Sequence, residues 1–359
     1  MKIAPLYHAL DKCSWAEPII VHTGQHYDYN MSEAFFRDFN LPEPHIHLGV
    51  GSGSHAEQTG RVMMAYEKVL LNDPPDLLVV VGDVNSTLAT TIAASKLGVK
   101  IAHLEAGLRS FDMSMPEEIN RLVTDRLSDF LWTPSRDGDA NLLNEGVAPE
   151  KIQFVGNIMI DSFEMLRQKI EDQALCEKFG LAEKQYGVVT LHRPSNVDDD
   201  ETLKTLCGAL KRISKTTPLI FPVHPRTSKR LIETSLMEEL KADSNITFCD
   251  PLGYIEFMSL VCGSRFVVTD SGGVLEETTY LKIPCMTLRP NTERPVTVTI
   301  GSNRLCTVEN TEDAIQEVLG SAGNGSEVPE LWDGRTAERV ALLIEEIVGA
   351  SNARQGCVV

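Results

Sequence analysis

Short apolar runs recur along the chain, each followed by a polar turn and then an amphipathic stretch. One series comprises 18–22 (PIIVH), 77–81 (LLVVV), 100–104 (KIAHL) and 130–133. A second comprises 187–191 (GVVTL), 219–223 (LIFPV), 246–249, 265–269 (RFVVT) and 285–288. The runs are short, rich in β-branched residues and apolar on both faces. Strands of a parallel sheet covered by helices on both sides read this way. Between them the period becomes helical. Val62, Tyr66, Val69 and Leu70 share one helical face, and Asn72-Asp73-Pro74-Pro75 ends that helix. Residues 86–97 are rich in Ala and Thr, with Gly98 placed to cap them. Strand alternating with helix over this length predicts two doubly wound α/β domains. The long helical stretch 162–178 has no strand pattern on either side, so the boundary is placed there. Residues 1–172 form the expected N-terminal domain and 173–359 the expected C-terminal one. The final helical pattern, about 335–350, is long enough to pack back on the first domain.

Composition narrows the class. With 51 acidic against 33 basic residues the net charge is -18, which argues against nucleic acid or an anionic membrane as partner. No apolar run approaches the ~18 residues of a membrane span. The N-terminal stretch turns polar too soon for a signal peptide. Eight scattered cysteines, without a CxxC pair and mostly inside apolar runs, read as reduced thiols of a cytoplasmic protein. His45 and His47 alternate as HxH, but no third ligand lies near them, so no metal is expected.

The chemistry gathers where the apolar runs stop. LLVVVGD ends in Asp83, KIAHLEAG carries Glu105, GVVTLHR ends in His192 and Arg193, and LIFPVHPR ends in His224 and Arg226. RFVVTDSGG ends in Asp270, Ser271, Gly272 and Gly273. Open α/β sheets bind ligands beyond the carboxyl ends of their strands, so these ends predict one cleft between the domains. The DSGG turn leading into VLEETTYL offers free N–H groups and close backbone approach, as a phosphate seat requires. Glu277, one helical turn further, is placed to take ribose hydroxyls; an ordinary capped helix with an acidic first turn reads the same. GVGSGSH (49–55) lacks full GxGxxG spacing and reads as a connection, and no GxxxxGK[ST] loop occurs. PEEINR (116–121) reads as a helix start, with Pro and two acids in its first turn. Arg109 and Arg121 serve equally as ion-pair partners of nearby Glu105 and Glu117 or as phosphate clamps.

Eight stretches carry a family resemblance: TGQHYD (23–28), GDVNSTLAT (82–90), HLEAGLRS (103–110), PEEINR (116–121), GNIMID (156–161), LHRPSN (191–196), TDSGGVLEE (269–277) and TERP (292–295). In this order and spacing the chain resembles the non-hydrolysing UDP-N-acetylglucosamine 2-epimerases. The resemblance implies two Rossmann-like doubly wound domains facing a central cleft, the GT-B type of architecture, and a homodimer. It implies roles residue by residue. Ser271, Gly272 and Gly273 match the phosphate turn, Glu277 the ribose ligand, and Leu252 and Phe257 the positions that hold uracil. His192 and Arg294 match groups near the diphosphate and sugar. Asp83, Glu105 and Glu117 match carboxylates tied to catalysis, and Lys2 matches a substrate-binding lysine. Gln25, Gln58, Arg121 and His224 fall in or near stretches where some members hold a second, activating UDP-N-acetylglucosamine. Family members begin with a β-strand and a G-[TA]-R-P loop running into that lysine. Here Lys2 stands second, so the first strand and the loop arginine are expected to be missing from this sequence.

The implied reaction inverts C2 of a UDP-sugar by elimination and re-addition of UDP, without a cofactor, for surface-polysaccharide synthesis. A hydrolysing epimerase, a glycosyltransferase of the same architecture and an inactive nucleotide-sugar sensor are the alternatives. Relatives acting on diacetamido uronic acids leave the sugar itself open.

Overall fold

The β-branched runs become strands in the computed structural model, which describes residues 1–24, 29–320 and 326–355. The chain falls into two units, Met1–Met165 with Glu330–Val359, and Leu166–Pro329. Each is a Rossmann-like parallel sheet with helices packed on it.

The unit from Leu166 has six strands: β7 (Gly187–Thr190), β8 (Leu219–Pro222), β9 (Ile246–Cys249), β10 (Phe266–Thr269), β11 (Cys285–Thr287) and β12 (Asn303–Leu305). Their order is β12-β11-β10-β7-β8-β9, all parallel. Counted from β7 this is the 3-2-1-4-5-6 order of dinucleotide-binding sheets, with its switch point between β7 and β10. Phe266 pairs with Gly187 and Thr269 with Thr190, so β7 and β10 end side by side. Leu206 and Leu210 of the helix Asp200–Ser214 pack with Phe221 of β8 and Val268 of β10 in one core. Burying each such side chain stabilises the fold by roughly 1.5–3 kcal/mol.

The other unit has β1 (Val21–His22), β2 (Ile46–His47), β3 (Leu78–Val81), β4 (Ile101–Leu104), β5 (Phe130–Thr133) and β6 (Ile152–Phe154). They form two parallel pieces, β1-β2 and β3-β4-β5-β6. Among the described residues β1 and β3 each keep one edge without a strand beside it. The helix Thr336–Gln355 belongs to this unit: Val340 and Ile344 share a core with Leu104, Trp132 and Ile158. Trp332 Nε1 donates to Pro134 O at 2.9 Å, and Ala337 N to Asp161 Oδ1 at 2.7 Å. Gly156, at φ 93°, lies against the Leu331 carbonyl so closely that no side chain fits there.

Two apolar runs, 130–133 and 246–249, match their strands, most others are one residue longer, and 18–22 pairs only at Val21–His22. β2, β6 and β12 lack a strand signal in the sequence. They are short, and polar residues such as His47, Gln153 and Arg304 break their apolar pattern. The 162–178 stretch is two helices, Ile158–Glu171 and Leu175–Lys178, separated at Ala174, which is left-handed at φ 42°. Among the described residues no helix is long and apolar enough to cross a membrane.

Candidate functional site

In the first unit, the ends of β3 and β4 hold the carboxylates. Gly82 turns the chain after β3 at φ 72°. A side chain there would come within 3.5 Å of Lys2 Nζ and 3.6 Å of Glu105 Oε2, because the Lys2–Glu105 ion pair occupies that space. Glu105 is itself left-handed, at φ 76°, and buried. That conformation costs a non-glycine residue of order 1 kcal/mol and persists because neighbours impose it. Its N–H donates to Trp132 O at 3.0 Å. The carboxylate is thereby aimed rather than free: Lys2 holds Oε2, while buried Oε1 has no hydrogen-bond partner among the described residues.

Asp83 pairs with the buried guanidinium of Arg121, which also donates to Glu118 Oε2 from Nε at 2.9 Å and Nη2 at 2.7 Å. Glu118 accepts from Ser110 N at 3.0 Å and from Phe111 N at 2.8 Å. Burial opposes its ionisation, but these N–H groups and Arg121 outweigh burial and hold its carboxyl below the ordinary range. Glu118 is therefore the hub, not merely an acid favoured by a helix dipole. Glu117, beside it in the first turn of the helix Pro116–Leu127, is half-buried.

The two arginines are ion-pair partners: Arg121 of Asp83 and of Glu118, its nearest acid in sequence, and Arg109 of acids far along the chain. Arg109 meets Asp125 at 2.7 Å and Glu145 at 2.8 Å. Asp125 faces the buried His103 ring, Nδ1 to Oδ1 at 2.5 Å, and the other ring nitrogen donates to Gly82 O at 2.9 Å. Burial opposes ionisation of Asp125, but His103 and then Arg109 lower its pKa. Gly82 is thus fixed from both sides, by the pair above it and by His103 beneath. Asn120 Nδ2 donates to Asp83 O at 2.9 Å, and Asn85 links it onward to Gln58 Oε1 at 2.7 Å. Gln58 and Arg121 hence belong to the network that holds Asp83. Gln25 lies outside the described residues.

In the second unit, the ends of β7 and β10 meet at the switch point. Asp270, fully buried, accepts from the N–H groups of His192 at 3.0 Å and Arg193 at 2.9 Å, and from Asn196 Nδ2 at 3.1 Å. Its Oδ1 lies 2.8 Å from His192 Nδ1, which leaves the half-exposed ring with Nε2 turned away from the carboxylate. Burial opposes ionisation of Asp270, but His192 and these donors keep its pKa low. The His224 ring centre stands 5.7 Å from that of His192. Burial, then the neighbouring His192, lowers the pKa of His224.

The 271–273 turn follows β10. Ser271 N donates to Thr269 Oγ1 at 3.0 Å, Gly272 is backed by side chains, and nothing lies within 4 Å of where a Gly273 side chain would be. The helix beyond it is short, Val274–Tyr280. Glu277 is buried on that helix, and burial raises its pKa to about 8. Tyr254 Oη donates to Glu277 Oε1 at 2.7 Å, so Glu277 meets the helix Tyr254–Gly263 that carries half-buried Phe257; half-buried Leu252 precedes it. Arg294 Nη1 donates to Glu293 Oε1 at 2.5 Å, and its Nε lies 2.6 Å from Glu276 Oε1.

Sequence reasoning missed Glu118, Asp125, His103, Glu276, Arg289 and Glu293 as parts of these clusters. Spacing alone could have found Glu118–Arg121, at i,i+3 on a helical turn; Arg289–Glu293 lies in a non-helical segment and carries no such signal.

Three comparisons bear on what such a site serves. A family profile for UDP-N-acetylglucosamine 2-epimerase matches residues 8–345. The UDP-N-acetylglucosamine 2-epimerase of Methanocaldococcus jannaschii is 41% identical over 353 residues, covering 96% of this chain and 95% of the relative. Its crystal structure in complex with UDP-GlcNAc and UDP superposes with a TM-score of 0.85, covering 96% of each chain at 42% identity. The UDP-2,3-diacetamido-2,3-dideoxy-D-glucuronate 2-epimerase of Pseudomonas aeruginosa is 44% identical over 291 residues, covering 80% of this chain and 79% of the relative.

Proposed function

The chain belongs to the UDP-N-acetylglucosamine 2-epimerase family, and on that premise we propose that it interconverts UDP-N-acetylglucosamine and UDP-N-acetylmannosamine without hydrolysing either. In this reaction the C2 proton leaves, the C1–O bond to UDP breaks and a C1=C2 double bond forms. UDP then re-adds at C1 while a proton arrives on the opposite face of C2. The reaction therefore needs acid–base groups and a seat for the departing diphosphate.

The roles divide accordingly. Asp83, Glu105 and Glu117 move the proton, with Arg121 and Lys2 holding the first two in place. The 271–273 turn, His192 and Arg294 bind the diphosphate. Glu277 takes the ribose, and Leu252 and Phe257 flank the uracil. Gln25, Gln58, Arg121 and His224 are proposed for a second, activating nucleotide-sugar. The protein acts as a cytoplasmic homodimer supplying activated sugars for surface polysaccharide; light scattering of the purified chain tests the dimer.

The observation that carries the reading is Glu105. It is a buried carboxylate in a left-handed backbone at a strand end, with one oxygen held by Lys2 and the other unpartnered among the described residues. Proton NMR of the chain with UDP-N-acetylglucosamine in D₂O is the test. UDP-N-acetylmannosamine carrying deuterium at C2 is the expected product. Free N-acetylmannosamine with released UDP would replace the reading by a hydrolysing epimerase. The 44% identity to the diacetamido-glucuronate enzyme favours that sugar as a second substrate, tested by the same exchange experiment.

A further inference from the structure

A diphosphate leaving group carries two or more negative charges, and the 271–273 turn offers it backbone N–H groups and the Ser271 hydroxyl but no charge. The seven-residue helix behind the turn is too short to contribute a large dipole. A cation lies directly under the turn instead. Arg289, just past the end of β11, is 4% exposed. A side chain built at Gly272 would stand 3.1 Å from Arg289 Nη1 and 3.1 Å from Glu293 Oε1.

The bonding around Arg289 is incomplete. Its Nη2 donates to Glu293 Oε2 at 3.1 Å. Glu293 is shared, because its other oxygen takes Arg294 Nη1. Arg289 Nε and Nη1 are buried and have no hydrogen-bond partner among the described residues. An arginine kept only for packing would ordinarily use its donors, since a buried unpaired N–H costs stability and a buried charge costs more. The open donor Nη1 lies next to Gly272.

We propose that Arg289 is a positioning residue for the diphosphate: a fixed cation beneath Gly272 that acts through the backbone of the 271–273 turn without touching the ligand. A guanidinium suits the role because it stays charged in the interior, and its planar fork holds Glu293 while Nη1 faces the turn. Gly272 then has a second reason to be glycine. A larger residue would push the cation away from the anion it serves. The inference rests on the reading that UDP occupies this turn.

The test is isothermal titration of the full chain with UDP and with uridine, which has the base and ribose but no phosphate. Arg289→Gln removes the charge and keeps a donor for Glu293; Arg289→Met is a second neutral variant should Gln fail to fold. UDP affinity falls about tenfold or more in either variant, while uridine affinity changes less than about twofold. Arg289→Lys, which keeps the charge, recovers most of the UDP affinity. Unchanged UDP binding in the neutral variants overturns the inference. So does an equal loss for UDP and uridine, which marks a pocket that has merely lost its shape. If the unmodified protein itself binds UDP no more tightly than uridine, the assignment of the diphosphate to this turn fails first, and the role of Arg289 with it.

Discussion

The two units both pair acids with cations at their strand ends but differ in what is left over. In the first, strong cations hold acids: Lys2 is bonded to Glu105, Arg121 to Asp83 and Glu118, and Arg109 to Asp125 and Glu145. In the second, the turn after β10 presents backbone and glycine, and Arg289 beneath it keeps two donors without partners among the described residues. The sheets are of one kind, so the difference lies in the residues just past each strand. A charged residue on a glycine-led or left-handed turn makes a positioned acid or base. A glycine turn over a cation is what the proposed diphosphate seat calls for. On the proposed reaction, the first unit supplies the proton-moving groups and the second holds what leaves.

The sharpest way to break that division is to remove a carboxylate. Asp83→Asn or Glu105→Gln lowers turnover by roughly 10³-fold, with UDP affinity unchanged, measured by C2 exchange in D₂O and by titration calorimetry. Loss of UDP binding in either variant would show that the labour is not divided. Arg121→Met comes next. It leaves Glu118 and Asp83 without their shared cation and lowers unfolding free energy by about 3–5 kcal/mol, read from urea denaturation. Arg121→Lys recovers little, since one ammonium cannot reach both carboxylates as the fork does.

Asp270→Asn keeps one acceptor oxygen but turns an NH2 towards the donors of His192, Arg193 and Asn196, and so disturbs the tautomer of His192. It lowers kcat roughly 10–100-fold and alters the pH profile, with a small effect on UDP affinity. An unaltered profile would reduce Asp270 to a backbone clasp. The last prediction concerns Glu277, where the readout is the pH dependence of stability rather than turnover. Its pKa, about 8 in the folded protein against an ordinary 4.5, means that the folded state keeps a proton the unfolded chain releases. The associated stability is present in full below the unfolded value and is lost as pH rises towards 8. Glu277→Gln therefore flattens the fall of Tm between about pH 5 and pH 8. The acid limb is untouched, because Asp125, Glu118 and Asp270, all with lowered pKa, lose their contribution as pH falls. A slope that survives in Glu277→Gln would place the linkage on another group.

Strands buried on both faces were legible because their pattern has no polar gap, as in β8 and β10. The edges β2, β6 and β12 were not, since a strand of two or three residues with a charged or polar member has no pattern to read. The site obeyed the same rule. Asp83, Glu105, His192 and the 271–273 turn sit where legible strands stop. Their supports come from far along the chain, as with Lys2 and Glu105, 103 residues apart, or Arg109 and Glu145, 36 apart. Such pairs exist only once the fold has closed. For that reason Arg109 meets Asp125 and Glu145 and not Glu105 close by in sequence, whereas Arg121 takes Glu118 on its own helix as well as distant Asp83.

The return of the helix Thr336–Gln355 to the first unit has a consequence in time rather than in space. A ribosome delivers about 5–20 residues each second from the N-terminus. The unit Leu166–Pro329 is one uninterrupted stretch and can close as soon as it emerges. The unit begun first must wait, with Leu104, Trp132 and Ile158 uncovered, until Val340 and Ile344 arrive. The half that is translated first is thus the half completed last. During that interval its nascent form is the one a chaperone would meet.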